Sequence, residues 1–209
     1  MSHRRAISHL RRVDPRLSTI IDTVGSCTFA PAEHLAHFTA ISRSIVFQQL
    51  SGKAATTIYN RFADLFPDAT PTAPHLASLT DDQLRAVGLS RQKTAYLRDL
   101  AASVISGTVP IDSLDQLPDE EVIAALVSVK GIGRWTAQMF LMFRLGRPDV
   151  LPDLDLGIQK GIQRAYRMRK LPTPKRVTQI GAKWAPYRTV ASWYLWRSLD
   201  STAESRQGK

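Results

Sequence analysis

The chain has 209 residues, 44% of them hydrophobic and 22% charged, which describes a globular protein with enough apolar material for a core and excludes a disordered one. No apolar run approaches the roughly 20 residues of a membrane span, and no long apolar stretch follows Arg4 and Arg5, so a secretory signal is not expected. A single cysteine, Cys27, excludes an internal disulfide and a four-thiolate iron–sulfur cluster, in keeping with a place inside the cell.

The net charge of +10 is unevenly spread. Residues 159–209 carry 12 Lys and Arg against 2 acidic residues, whereas residues 1–158 carry 16 of each. Such asymmetry points to a polyanion, with nucleic acid ahead of a membrane surface. Of the five histidines only His34 and His37 are closely spaced, and no Cys pair accompanies them, so no zinc site is expected.

In chain order, the first 30 residues read as two short basic helices broken at Asp14-Pro15, where Asp14 is a good cap and Pro15 a good first helical residue. From Phe38 to Phe66 the apolar residues recur at helical spacing, interrupted at Ser51-Gly52, which predicts two helices joined through Gln48-Gln49-Leu50-Ser51-Gly52. By themselves the two glutamines read as polar surface, with a wedge into a base stack as the alternative. Thr80-Asp81-Asp82-Gln83 has the form of a capping box and predicts a short helix ending at Gly88. Ser90 caps a longer helix ending near Gly107, and Pro118-Asp119 opens another that runs to Lys130. No sustained alternation of β-branched residues occurs, so the fold class is all-α.

The stretch Leu126–Leu156 carries the strongest signal. An apolar helix meets Lys130-Gly131-Ile132-Gly133-Arg134-Trp135-Thr136, and a second apolar helix begins at once. Two glycines around one inward-packing Ile132 permit positive backbone angles and a close approach of another backbone. The free N–H groups of the next helix then suit a phosphate oxygen, to which Thr136 adds a hydroxyl. Farther on, Asp155 precedes Leu156-Gly157-Ile158 at the expected start of a helix, where the dipole favours negative charge. Taken alone, an aspartate there reads as a structural cap.

The run around Gly131 and Gly133 resembles the helix-hairpin-helix DNA-binding motif. Together with Ile45–Ala55, Val87–Ser90 with Lys93, Asp155–Ile158 and Trp184–Arg188, it is similar to the helix-hairpin-helix DNA glycosylases, and within them to the alkylation-repair 3-methyladenine DNA glycosylase II branch. The resemblance covers residues 35–199. It implies two helical lobes with the active-site cleft between them: a bundle of about 35–126, and a lobe of about 1–34 plus 127–209 carrying the hairpin and the catalytic aspartate.

It implies also a monofunctional N-glycosylase that flips alkylated purines such as 3-methyladenine and 7-methylguanine out of double-stranded DNA and leaves an abasic site. Asp155 becomes the catalytic carboxylate, with Asp153 in reserve, and Trp135, Trp196, Phe47 and Met139 line the base pocket. Trp184 and Trp193 are assigned to the core. Gly131, Gly133, Arg134 and Thr136 hold the phosphate, while Gln48, Gln49 and Leu50 occupy the wedge position.

Relatives that also cut the strand carry a nucleophilic Lys where this chain has Trp135, so no lyase step is expected through that position. Relative to larger members, no added N-terminal β-domain is expected. Neither a cofactor nor a membrane partner is expected. A monomer suffices, at the nucleoid of a bacterium or in a eukaryotic nucleus. The rival readings are a non-catalytic helix-hairpin-helix module, which has no use for Asp155, and a bifunctional glycosylase/lyase.

Overall fold

In a computed structural model, residues 3–32 and 34–207 are described, with side chains through Asp200; Met1, Ser2, Glu33, Gly208 and Lys209 lie outside the described residues. Among these residues the fold is all-α, with 12 α-helices, three short 3-10 turns and no strand. The helices fall into two compact units, one of residues 1–31 with 146–209 and the other of residues 32–145.

The unit of residues 32–145 contains α3 (His37–Phe47), α4 (Gly52–Ala63), α5 (Ala73–Ser78), α6 (Asp81–Ala86), α7 (Arg91–Ile105), α8 (Asp119–Val127) and α9 (Arg134–Phe143). Its core forms because Ile41, Ile45, Phe62, Leu76, Leu97, Leu100, Leu126 and Leu141 recur at helical spacing and all become buried. The capping box of Thr80 and Gln83 is present, and Ser90 accepts the Lys93 backbone N–H at 3.2 Å, as the sequence requires. α8 ends at Val127, three residues short of the expected Lys130, because the chain turns there into the hairpin.

The lobe boundary differs from the expected one. Residues 127–145 belong with 32–126, since α9 packs on α8 and α3. The helix-hairpin-helix and Asp155 are therefore in different units.

The other unit contains α1 (His3–Val13), α2 (Pro15–Val24), α10 (Leu156–Ala165), α11 (Pro174–Gly181) and α12 (Arg188–Gln207). α12 is its axis, packed against α10, α2 and α1 through the buried Val190, Ala191, Tyr194 and Leu195. Trp184 and Trp193 are core residues, as expected. Cys27 is half-buried rather than fully buried.

Asp14 is the polar centre of this unit. It caps α2 through the N–H groups of Arg16 and Leu17 at 3.0 and 3.2 Å, and it accepts the Trp184 indole N–H at 2.7 Å and the Tyr166 hydroxyl. The Lys183 ammonium lies 3.2 Å away. Burial alone would raise the Asp14 carboxyl, but the hydrogen bonds of Tyr166, Trp184 and Leu17 and the charge of Lys183 outweigh it and hold the group below its ordinary value.

Candidate active site

Asp155 is the cap of α10. Its Oδ1 accepts the backbone N–H of Ile158 at 2.8 Å and the indole N–H of Trp196 at 2.9 Å. The cap residue is held from behind by the loop after Gly146. Arg188 binds Asp149 through its side chain at 2.7 and 2.8 Å, and the Thr189 hydroxyl spans Arg147 C=O at 2.7 Å and Val150 N–H at 3.1 Å. Buried Leu151 and Pro152 lead from there to the carboxylate.

Trp196 reaches Asp155 because α10 presents small residues to α12. A Cβ at Gly157 would lie 2.8 Å from Trp196 Cδ1 and 3.0 Å from Asp155 Oδ1, and one at Gly161 would lie 3.0 Å from Leu195 Cβ. Nothing larger than glycine leaves room for the indole. The Gly157-x-x-x-Gly161 spacing was the sequence signal for this approach.

Leu154 and Leu156 flank the carboxylate, and both are exposed. Asp153 takes a different part: its backbone carbonyl receives the Gln159 side-chain amide at 3.0 Å.

In the other unit the hairpin closes between α8 and α9. Ile132 packs inward at 4% exposure, and Gly131 has φ 82°, a conformation that side chains rarely adopt. Gly133 differs from the expectation, because it is extended at φ −95° and only caps α9, with no side chain capping that terminus. The close approach at Gly131 is made by a ring and not by a backbone. A Cβ there would lie 2.2 Å from Tyr96 Cδ2, a contact that the sequence did not signal.

Two expected phosphate ligands are placed otherwise. Arg134 forms a two-pronged bond to Glu120 at 2.7 and 2.9 Å, and this bond draws the Glu120 carboxyl below its ordinary value. Thr136 is in the first turn of α9, but it is buried and lines a cavity.

That cavity, about 1010 Å³, lies within the unit of residues 32–145 and is lined by Phe47, Trp135 and Met139 as expected. Trp135 is 42% exposed there, an unusual state for the largest apolar side chain. Arg43 places its guanidinium 4.0 Å from the centre of the Phe47 ring, so one face of Phe47 already has a cation. Trp196 does not line this cavity; it stands beside Asp155 in the other unit.

Gln48, Gln49 and Leu50 lie on the rim of the cavity, between α3 and α4, and they part company there. Gln48 spends its amide on the Gly131 carbonyl at 2.9 Å. Gln49 is exposed with φ 57°, and Leu50 is 38% exposed. A left-handed conformation costs a non-glycine residue about 1–2 kcal/mol, so a glutamine held there is a functional candidate.

Residues 42–187 match the family model described as HhH-GPD superfamily base excision DNA repair protein. The chain belongs to this superfamily. Within it, the chain is 35% identical over 199 residues to DNA-3-methyladenine glycosylase 1 of Schizosaccharomyces pombe, covering 93% of this chain and 86% of that one. The S. pombe 3-methyladenine DNA glycosylase solved in complex with abasic DNA superposes with a TM-score of 0.80 at 35% identity, over 92% of this chain and 95% of that one. A DNA-3-methyladenine glycosidase crystal structure from Bacillus halodurans superposes with a TM-score of 0.85 at 36% identity, over 98% and 92%. Membership in the HhH-GPD superfamily gives the all-α fold its name, that of a helix-hairpin-helix glycosylase.

Proposed function

We propose that this protein is a monofunctional DNA glycosylase of base excision repair, which removes alkylated purines from double-stranded DNA and leaves an abasic site on an intact strand. The observation that carries the reading is the Asp155 carboxylate, oriented by the Ile158 N–H and the Trp196 indole in a chain of this superfamily. The relatives named DNA-3-methyladenine glycosylase support the substrate class, and the complex of one of them with abasic DNA supports the product.

The chemistry follows from the leaving group. Alkylation of a purine ring nitrogen makes the base cationic, so it departs with the electron pair of the glycosidic bond and needs no strong acid. Positive charge then builds on the deoxyribose. Asp155 stabilises that charge, and a water molecule adds to C1′ and gives up a proton. Two N–H donors on one oxygen fix the carboxylate before the reaction, so no reorganisation is required as the charge develops. One of the two donors is a side chain from another helix, which a cap does not require.

The unit of residues 32–145 supplies the DNA grip. The uncapped start of α9 takes a backbone phosphate at Gly131–Gly133. Gln49 and Leu50 fill the space left by the flipped nucleotide, whose extrusion costs a few kcal/mol of stacking. The base enters the cavity of Trp135, Phe47 and Met139. One polypeptide carries every group, so the enzyme acts as a monomer.

Product analysis tests the reaction. A duplex with a single 7-methylguanine is expected to release the free base and keep an unbroken strand until alkali or heat cleaves it. Strand nicks without that treatment, or borohydride trapping of protein on DNA, would reverse the monofunctional assignment.

A further inference from the structure

Three side chains stand along one side of α7, Lys93, Tyr96 and Asp99, and the first two also form part of the cavity wall. Their spacing puts each within one helical turn of the next. Lys93 reaches the carboxyl end of α3, where its ammonium donates to the Val46 carbonyl at 2.6 Å, one residue before the helix ends at Phe47. A cation suits that end of a helix. The turn that carries Gln49 leaves from the same point.

Tyr96 and Asp99 serve the hairpin instead. The Tyr96 ring lies against Gly131, so closely that a Cβ there would collide with it. Asp99 accepts the Lys130 backbone N–H at 2.8 Å and pairs with the Lys130 ammonium at 3.4 Å. The Gln48 amide closes the circuit by donating to the Gly131 carbonyl at 2.9 Å. One helix therefore touches both the end of α3, from which the turn leaves, and the hairpin, and the turn and hairpin are joined directly as well.

A side chain that enters a base stack pushes against whatever holds the backbone phosphates. If the turn and the hairpin shift relative to each other, the push is lost as movement of the protein. Gln49 adds a second demand, because its left-handed backbone persists only while its surroundings hold it. Lys93 also pays a desolvation penalty, its half-buried ammonium being pushed below its ordinary pKa by burial.

We propose that α7 is a strut that fixes the insertion turn in register with the phosphate-binding hairpin, and that Lys93 is a positioning residue for base flipping. The inference rests on the reading of Gln49 and Leu50 as the inserted side chains. Lys93 acts through α3, and although it also lines the cavity, an effect exerted through α3 depends on how hard the base is to extrude.

The test measures insertion without the reaction. A duplex with 2-aminopurine beside an abasic-site analogue brightens when the stack is opened. Wild-type protein at saturation should raise the fluorescence, and Lys93→Met and Gln48→Ala should each lower the amplitude. Single-turnover excision of 7-methylguanine by Lys93→Met should fall by about tenfold more for a lesion paired with cytosine than for the same lesion in single-stranded DNA. Should Lys93→Met fail to fold, Gln48→Ala carries the fluorescence test. An unchanged amplitude at saturation, or no brightening by the wild type, overturns the proposal, and so does an equal loss on paired and single-stranded lesions. Absence of base release by the wild type would instead strike the proposed reaction, while the fluorescence still decides the role of Lys93.

Discussion

Trp196, Asp155 and Gly157 form a small mechanical unit in which one glycine makes room for the indole that holds the carboxylate. A hydrogen bond to a charged group contributes about 1.5–3 kcal/mol. Trp196→Phe keeps the bulk and loses the donor, so the rate of base release should fall by about ten- to a hundredfold with little change in DNA affinity. Single-turnover kinetics beside a binding titration would show this, and a loss confined to affinity would return Trp196 to base recognition. Arg134 offers a second residue-scale prediction. Its partner Glu120 is exposed, and such pairs contribute about 0–1 kcal/mol. Glu120→Gln weakens this pair and removes a negative charge near the hairpin, so DNA should bind about two- to fivefold more tightly at low salt. Equal affinity would show that Arg134 faces no phosphate. The sequence named Asp155, Gly131 and Trp135 because short motifs carry them, but it named neither Tyr96 nor Glu120. Those two act across 35 and 14 positions of chain, a range at which spacing says nothing.

At the scale of elements, the helices with strong local signals were legible and the weak ones were not. Asp14-Pro15, the Thr80 capping box and Ser90 each announce a helix start, and all three are made. α5 has only six residues, too few to show a helical period. α11 was also missed, although Thr173 caps it and Pro174 opens it, because its eight residues lie in a basic stretch read for charge. The link between α2, the end of α10 and the turn after α11 is the buried Asp14, which only the folded chain brings to Trp184 and Tyr166. Its lowered pKa gives a signed prediction. A carboxyl whose folded pKa lies below the unfolded one stabilises the fold fully above the unfolded value, about pH 4, and loses that contribution as pH falls through the folded value. The thermal midpoint should therefore drop on acidification more steeply for the wild type than for Asp14→Asn. At neutral pH the variant should be less stable by about 1.5–3 kcal/mol, because the hydrogen bonds of Tyr166 and Trp184 lose their charged acceptor. Parallel pH profiles for the two proteins would remove Asp14 from the account of acid stability.

For the whole molecule, the division of charge is sharper in the folded chain than along the sequence. Residues 1–31 with 146–209 carry 18 basic and 7 acidic side chains, whereas residues 32–145 carry 10 and 11. The excess of positive charge thus lies in the unit with Asp155, whereas the unit with the hairpin is close to neutral. That separation was not legible beforehand, because the expected boundary near residue 127 followed the motif and not the packing of α9 on α8 and α3. It implies that binding and chemistry can be parted by a single substitution. The decisive measurement is single-turnover release of 7-methylguanine from duplex DNA by the wild type and by Asp155→Asn, each at protein concentrations that saturate binding. The account predicts base release by the wild type, a loss of at least about a hundredfold in the variant, and the same affinity for the duplex. Release at equal rates by the two proteins would contradict it.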